Sequence, residues 1–432
     1  MKICILAAGA GGMYCGSCMR DNALAAALLR MGHEVTLIPL FSPTKTDTPD
    51  VSDRRVFLGG VNVYLQHASK WFRHTPRFFN WLFDRNWLLN LATKYGAGKP
   101  YSEMGDLAVD LLLGEEGHAV KELRRLLDFI RTDLQPDVVT LPNLMFMGAA
   151  RLFHDELKIP VICELTGEDI FLDALDEPQR TQACEIIRGQ VGSISRFVAT
   201  CDYYADRMAD YLAVPRGRID VVYPGLAKEF LDAIPATVPV QSGRPPTVGY
   251  LARICPEKGI ERLVEAMILL REVPGMSNVQ LRVAGYLGNR DEAFFERLKQ
   301  KVDRSPLKGA MTYIGEVDQA GKIDLLSSID VFSAPSVYPE SKGIYVLEAL
   351  AMGVPVVQPA HGSFPELVQR TQGGVLTPPG DAAALATALA DMLRDHTGRA
   401  VYGARGRKIV HEQFTDTHMA EEMLKIYQEA KV

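Results

Sequence analysis

Residues 335–357, PSVYPESKGIYVLEALAMGVPVV, contain a proline-bounded loop, a short helical pattern and an apolar strand pattern. The helical pattern begins near Gly343 and ends at Gly353, because glycine is favoured just after the last helical residue and Pro355 lies beyond it. The run VPVV at 354–357 is short, apolar and β-branched, which is typical of buried parallel strands. This order of elements predicts an α/β fold with a largely parallel sheet.

The same alternation of strand and helix patterns extends through the chain in two blocks. Strand patterns occur at 2–7, 34–40, 137–141, 160–165 and 197–200, and again at 247–252, 279–284, 311–314, 330–334 and 354–357. The stretch 232–246 between the blocks is rich in proline and lacks periodicity, which predicts a linker. We therefore predict an α/β protein of two Rossmann-like domains, 1–235 and 246–405. Residues 406–432 carry a last helical pattern, which we expect to pack back across the domain junction.

Composition narrows the classes of protein. Charged residues make up 23% and apolar residues 47% of the 432 residues, as in ordinary globular proteins. The net charge of -6 disfavours nucleic-acid binding, which needs a dominant basic face. The apolar N-terminal run is too short to span a membrane, so we expect a cytoplasmic protein. Seven cysteines in a long chain suggest reduced thiols.

The start of the helical pattern near Gly343 is suited to a phosphate group. The amides of Gly343, Ile344 and Tyr345 lie in the first helical turn, where they lack intrahelical acceptors. Glu340 and Glu348 flank this turn and could accept hydrogen bonds from sugar hydroxyls beside the phosphate. The alternative is that both glutamates are ordinary helix-start charges that the helix dipole favours.

The segment Glu340-SKGIYVL-Glu348 resembles the E-x7-E motif of retaining glycosyltransferases of family 4. The resemblance continues through TVGYLARICPEKGIERLVEA, RVAGYLG, YIGEV, LLSSIDVFSAPSVYPES and GSFPELV. It implies a GT-B fold, in which the two Rossmann-like domains face each other across a cleft. It also implies an enzyme that moves a glycosyl group from a nucleoside diphosphate sugar to a sugar, glycan or lipid-linked acceptor, with retention. It also implies no cofactor, and the chain contains no D-x-D motif, in agreement with a metal-independent enzyme. Glu340 is then a catalytic residue, and the helix start with Glu348 binds the donor.

Arg253 and Lys258 match the arginine and lysine that hold the donor diphosphate in this family. A leaving nucleoside diphosphate gathers negative charge, which a guanidinium and an ammonium group stabilise. The resemblance therefore implies a catalytic role for both cations. Taken singly, each would be an ordinary solvated side chain.

A glycine loop after the first strand pattern is the main signal in the N-terminal half. Gly11 and Gly12 would let the backbone approach the donor closely. The loop also resembles the start of a dinucleotide-binding fingerprint, but Tyr14 stands where the third glycine belongs. The second strand pattern also lacks the acidic residue that binds ribose, so we disfavour NAD binding.

The segment PVICELTGEDIF departs from the family where many members carry a histidine that contacts the transferred sugar. Thr166 stands at that position. Glu168 and Asp169 lie next to it, and one of them is a candidate to orient the acceptor hydroxyl. The alternatives to transfer are a nucleotide-sugar epimerase or hydrolase on the same scaffold, or a sugar-nucleotide-binding protein without turnover.

Two further features leave alternatives open. Cys15 and Cys18 have the spacing of a redox or metal-binding pair, but no second pair or nearby histidine supports zinc, and small residues in a tight loop explain them as well. Residues 69–99 contain all three tryptophans and six Lys or Arg against one acidic residue. This segment could be an acceptor lid, pack on the core, or contact an anionic membrane peripherally, and we favour the first two.

Overall fold

A computed structural model describes residues 1–9, 12–58, 104–235 and 243–431. The chain divides into two compact units. Unit 1 comprises 1–225 and 416–432, and unit 2 comprises 226–415. Within the described ranges, no helix is long and apolar enough to cross a lipid bilayer.

Unit 1 is a parallel sheet with helices packed on it. Its strands are β1 Lys2–Ala7, β2 Glu34–Pro39, β3 Val138–Leu141, β4 Val161–Leu165, β5 Arg196–Ala199 and β6 Ile219–Val221. Its helices are α1 Gly16–Arg30, α2 Gly105–Leu112, α3 Val120–Phe129, α4 Ala150–Leu157, α5 Asp169–Asp173, α6 Gln179–Gln190, α7 Asp202–Leu212 and the last helix of the chain, Asp416–Ala430. The last helix packs against α1.

The strand order in unit 1 is β2-β1-β3-β4-β5-β6, and every pairing is parallel. Strands β3 and β4 are buried along their whole length, because helices cover both faces of a parallel sheet. The chain reverses its direction of winding between β1 and β3. Ligands of open α/β sheets bind outside the carboxyl ends of the strands at this switch point, so the loop that contains Gly12 lies at the expected ligand edge.

Unit 2 has the same architecture. Its strands are β7 Thr247–Leu251, β8 Gln280–Ala284, β9 Met311–Tyr313, β10 Val331–Phe332, β11 Val356–Pro359 and β12 Gly374–Thr377. Its helices are α8 Lys228–Ala233, α9 Ile260–Glu272, α10 Glu292–Asp303, α11 Gln319–Ser327, α12 Ile344–Ala351, α13 Phe364–Thr371, α14 Ala382–Arg394 and α15 His396–Gln413. The last helix of unit 1 is therefore α16.

The strand order in unit 2 is β12-β11-β10-β7-β8-β9, again with only parallel pairings. This order is that of a Rossmann sheet, and its switch point lies between β7 and β10. The helix predicted from Gly343 to Gly353 is confirmed as α12, and Gly353 ends it with a φ of +78°.

The prediction of two Rossmann-like α/β domains is confirmed by the two parallel six-stranded sheets. Two strands were not predicted, β6 and β12. Both are edge strands, and partial exposure weakens the apolar pattern of each. The prediction of a linker at 232–246 falls partly on α8 and partly outside the described residues.

Candidate functional site

Lys258 and Glu340 meet at the switch point of unit 2. Lys258 follows β7 in a short helical turn, and Glu340 lies in the loop after β10. Lys258 Nζ donates a hydrogen bond to Glu340 Oε2 in an ion pair. The hydroxyls of Tyr338 and Tyr345 lie 3.3 and 3.1 Å from the same oxygen. One cation, one carboxylate and two phenols thus converge where the topology predicts a ligand.

Two glycines let the loops around this pair approach each other. A Cβ on Gly259 would lie 1.8 Å from the carbonyl oxygen of Pro335, so only glycine allows the Lys258 turn to pack on the next loop. A Cβ on Gly362 would lie 2.5 Å from the backbone of Glu340. Both glycines have positive φ, which other residues rarely adopt.

The ion pair fixes the charge of both partners. Burial alone would lower the pKa of Lys258, but the Glu340 carboxylate and the Tyr338 hydroxyl outweigh burial and raise that pKa above its usual range. Burial would raise the pKa of Glu340, but Lys258 holds it at about 2. An ammonium and a carboxylate therefore persist at this site over the physiological pH range.

Helix α12 begins directly after this pair. Its N-cap, Gly343, has a φ of +65°, and the carbonyl of Gly343 accepts hydrogen bonds from the amides of Val346 and Leu347. The amides of Ile344 and Tyr345 precede these and belong to the first helical turn, where intrahelical acceptors are missing. The predicted anion site therefore begins three residues after Glu340, the carboxylate partner of Lys258.

Glu348 has a partner that the sequence did not reveal. The side chain of Lys322, from α11, donates to Glu348 Oε1, and both side chains are 8% exposed. The Lys322 ammonium also lies 5.2 Å from the centre of the Phe230 ring. Lys322 shares a helix face with Leu325 and Leu326 at i+3 and i+4. A lysine on an apolar face was the available signal for this buried ion pair.

Arg253 lies in the same loop as Lys258, after β7. Its Nε donates to Cys255 Sγ at 3.3 Å, and its Nη2 lies 4.0 Å from Glu257 Oε2. The buried Tyr250 hydroxyl donates to the Arg253 carbonyl at 3.1 Å and so holds this loop at the end of β7. Arg253 thus lies beside the predicted donor site with about a third of its side chain exposed.

The three residues predicted on the acceptor side form one buried network in unit 1. The Thr166 amide donates to Glu168 Oε2 at 2.7 Å, and the Leu144 amide donates to Glu168 Oε1 at 3.2 Å. Asp169 accepts from the Tyr204 hydroxyl at 2.8 Å and from Arg207. The network therefore ties together the loops that follow β3 and β4 and the helix that follows β5.

The pKa of Glu168 is shifted within this network. Burial raises its pKa to about 7, although hydrogen bonds from the Thr166 and Leu144 amides oppose the shift and Asp169 adds to it. A group with a raised pKa in the folded state stabilises the fold when protonated. That contribution is present in full below the unfolded pKa, near 4.5, and is lost as the pH rises through 7.

We expect the difference in unfolding free energy between wild type and Glu168→Gln to depend on pH. From pH 8 to pH 5, wild type should gain up to about 3 kcal/mol relative to the variant, because the amide does not titrate. Denaturant unfolding at several pH values measures this, and the exposed Glu272→Gln serves as the control for simple loss of charge. A pH-independent difference would contradict the assignment.

The remaining predicted features of the N-terminal half are placed as follows. Gly12 has a φ of +90°, with open space where a Cβ would project. Gly11 and the segment 69–99 lie outside the described residues. None of the seven cysteines forms a disulfide, and Cys4, Cys163, Cys201 and Cys255 are buried.

A buried ion pair in the core of unit 1 was missed. Arg20 is 2% exposed and donates to Glu164, which is 1% exposed. Arg20 lies on the buried face of α1 with Ala23, Leu24 and Ala27. As for Lys322, the available signal was a charged residue at apolar helical spacing.

Both halves of the chain match family models of known proteins. Residues 20–225 match the family model described as a glycosyl transferase 4-like domain. Residues 238–409 match the model described as glycosyl transferases group 1. The two models together leave out only the chain ends and the stretch between the halves.

Among curated relatives, the phosphatidyl-myo-inositol mannosyltransferase of Mycobacterium leprae is 33% identical over 183 residues, which are 42% of this chain and 46% of that protein. The chain thus spans about half the length of the curated mannosyltransferases it matches. An uncharacterised glycosyltransferase of Methanocaldococcus jannaschii is 23% identical and covers 95% of this chain and 94% of its own length. The sucrose-phosphate synthase of Thermosynechococcus elongatus superposes with a TM-score of 0.71 at 18% identity, over 99% of this chain and 98% of that chain. This likeness shows a shared fold.

Proposed function

The chain belongs to the GT-B glycosyltransferases of family 4, and we propose that it moves a glycosyl group from a nucleoside diphosphate sugar to an acceptor hydroxyl. The reaction proceeds with retention at the anomeric carbon and without a metal ion. The Lys258–Glu340 pair at the start of α12 is the observation that carries the proposal.

The pair supplies what departure of a diphosphate requires. Lys258 stays protonated, so its charge is available when negative charge grows on the leaving phosphate. The first amides of α12 add aligned dipoles on the same side, and Arg253 supplies a second cation at the edge. Glu340 stays ionised and holds Lys258 in place before the donor arrives.

Retention needs no protein nucleophile in this scheme. The departing phosphate oxygen accepts the proton of the acceptor hydroxyl on the face from which it leaves. Glu340 is already engaged by an ammonium and two phenols, which suits hydrogen bonding to sugar hydroxyls rather than attack on carbon. Glu168 or Asp169 then orients the acceptor from unit 1.

Mannose is the first donor sugar to test, because the relative from M. leprae is a mannosyltransferase. Its acceptor, a phosphatidylinositol, makes lipid-linked polyols the first acceptors to test here. A sugar or glycan acceptor is the next class, and peripheral membrane contact would then follow from the acceptor rather than from an anchor.

The test is incubation with UDP-, GDP- and ADP-sugars in the presence and absence of acceptors, with chelator added throughout. We expect glycosyl transfer with a retained anomeric configuration by NMR, unaffected by the chelator. Free sugar or an epimer would indicate a hydrolase or epimerase instead. Binding without any product would indicate a protein that has lost turnover. A nucleoside diphosphate at 100 times its Kd should stabilise the protein by about 2.7 kcal/mol, which identifies the base.

A further inference from the structure

We propose that Cys15 and Cys18 form a reversible redox site, in which oxidation by a low-molecular-weight disulfide joins them and switches the Gly12–Cys15 segment at the ligand edge of unit 1. The consequence for turnover rests on the proposed function, whereas the formation of the disulfide does not.

The two cysteines are one helical turn apart. Cys15 is the N-cap of α1, and its carbonyl accepts the first helical hydrogen bond, from the Met19 amide at 2.9 Å. Cys18 is the third residue of the helix. Side chains at these N-cap and N3 positions lie beside each other, as in a capping box, and a disulfide brings the Cβ atoms to about 3.5–4.5 Å. The two thiols already share a hydrogen bond, so a small movement of the side chains is enough to form the disulfide.

The two thiols differ in their exposure to solvent, as the attacking and resolving roles in dithiol exchange require. Cys15 is half-buried and reaches solvent, whereas Cys18 is 1% exposed. The hydrogen bond with Cys15 and then burial raise the pKa of Cys18, so Cys18 stays a thiol until a partner sulfur is presented. Cys15 therefore attacks first and Cys18 resolves, at a helix N-terminus where negative charge is favoured.

The chemistry balances with glutathione disulfide as the oxidant. The Cys15 thiolate attacks one glutathione sulfur, forms a mixed disulfide and releases the first glutathione. Cys18 loses its proton and attacks the Cys15 sulfur, which releases the second glutathione. Two protein thiols become one disulfide, and glutathione disulfide becomes two glutathione thiols. Dithiothreitol reverses both steps.

The Gly12–Cys15 segment before α1 transmits the change. The Gly9 amide donates a hydrogen bond to the Cys18 sulfur, which ties the end of β1 to the dithiol. Gly9 itself is fixed, because it has a φ of +81° and a Cβ there would lie 2.2 Å from the Ser42 carbonyl oxygen. Cys15 has extended backbone outside the helix, so the movement falls on Cys15 and the preceding Gly12 rather than on buried Cys18.

The test treats the whole protein with glutathione disulfide, blocks free thiols by alkylation and maps the peptides by mass. We expect a Cys15–Cys18 disulfide in wild type and in the control Cys184→Ser, and none in Cys15→Ser or Cys18→Ala. Hydrogen exchange of the Gly12–Cys15 amides should slow on oxidation and recover with dithiothreitol. A lasting mixed disulfide on Cys15, or no reaction, would overturn the site.

The turnover arm separates this proposal from the proposed function. Reduced wild type, Cys15→Ser and Cys18→Ala should agree within about tenfold. Oxidised wild type should lose about tenfold or more, with full recovery in dithiothreitol, while Cys15→Ser, which lacks the attacking thiol, resists oxidation. A mapped disulfide with unchanged turnover and unchanged exchange would refute the switch. Absence of transfer in every sample would refute the proposed function, and the exchange data would still decide the switch.

Discussion

Lys258→Ala is expected to lower kcat by about 10²- to 10³-fold, or about 3 to 4 kcal/mol, the effect of deleting one oxyanion donor. The reason is that the Lys258 ammonium stays charged at the start of α12, where the leaving diphosphate gains charge. Steady-state kinetics with the nucleotide sugar that the screen identifies as donor measure kcat and donor KM separately. Wild-type turnover in this variant would remove the basis of the donor-site assignment.

Lys258→Ala should also lower the free energy of unfolding. The sequence did not indicate this effect. A cation in a loop was expected to be exposed, but the Lys258 side chain is 17% exposed and Glu340 is 5% exposed. Removal of one partner leaves a buried charge uncompensated, at a cost of about 3–5 kcal/mol. The double variant Lys258→Met with Glu340→Gln should regain much of this stability without regaining turnover.

Lys301→Met is the matched control. Lys301 also forms ion pairs in unit 2, with Glu261 and Glu265, but these lie at the surface of α9 and α10. Surface pairs contribute about 1 kcal/mol or less, so this variant should keep its stability within that range. Its kcat should match wild type. A similar loss of turnover in both variants would show that Lys258 acts only through general charge.

Local sequence patterns were sufficient to predict the end of α12 and the positions of the buried strands. Gly353 ends α12 because only glycine adopts positive φ without strain, and Pro355 prevents the helix from continuing. The strands β4 and β7 are buried along their whole length, and the mostly apolar residues of each run predicted this from the local pattern. The resemblance of the 335–357 region adds the prediction that the Glu340 loop is functional.

Pairings between distant parts of the chain could not be predicted in this way. Glu348 meets Lys322 across 26 residues, and Arg20 meets Glu164 across 144 residues. Each pair is buried, so each cation has to find its carboxylate through the packing of helix on sheet or helix on helix. The spacing of apolar residues shows that the cation faces the core. It does not show which carboxylate in the core forms the ion pair.

The same difficulty affects the predicted role of Glu348, which was expected to bind sugar hydroxyls. Glu348 also holds the buried Lys322, so Glu348→Ala removes two interactions at once. We expect this variant to lose about 3–5 kcal/mol of unfolding free energy, because an ammonium is left buried without its carboxylate. We also expect donor KM to rise by about tenfold or more, with a smaller change in kcat.

The double variant Lys322→Met with Glu348→Leu separates the two roles of Glu348. Replacement of a buried ion pair by apolar residues of similar volume is often neutral or stabilising, so the melting temperature should return toward wild type. Donor KM should stay raised, because the carboxylate predicted to contact the donor is still missing. Lys322→Met alone keeps that carboxylate and should show the reverse, with lower stability but a smaller change in donor KM. If the double variant recovers wild-type donor KM together with stability, Glu348 serves only to hold Lys322, and donor recognition at α12 rests on Glu340 and the helix amides.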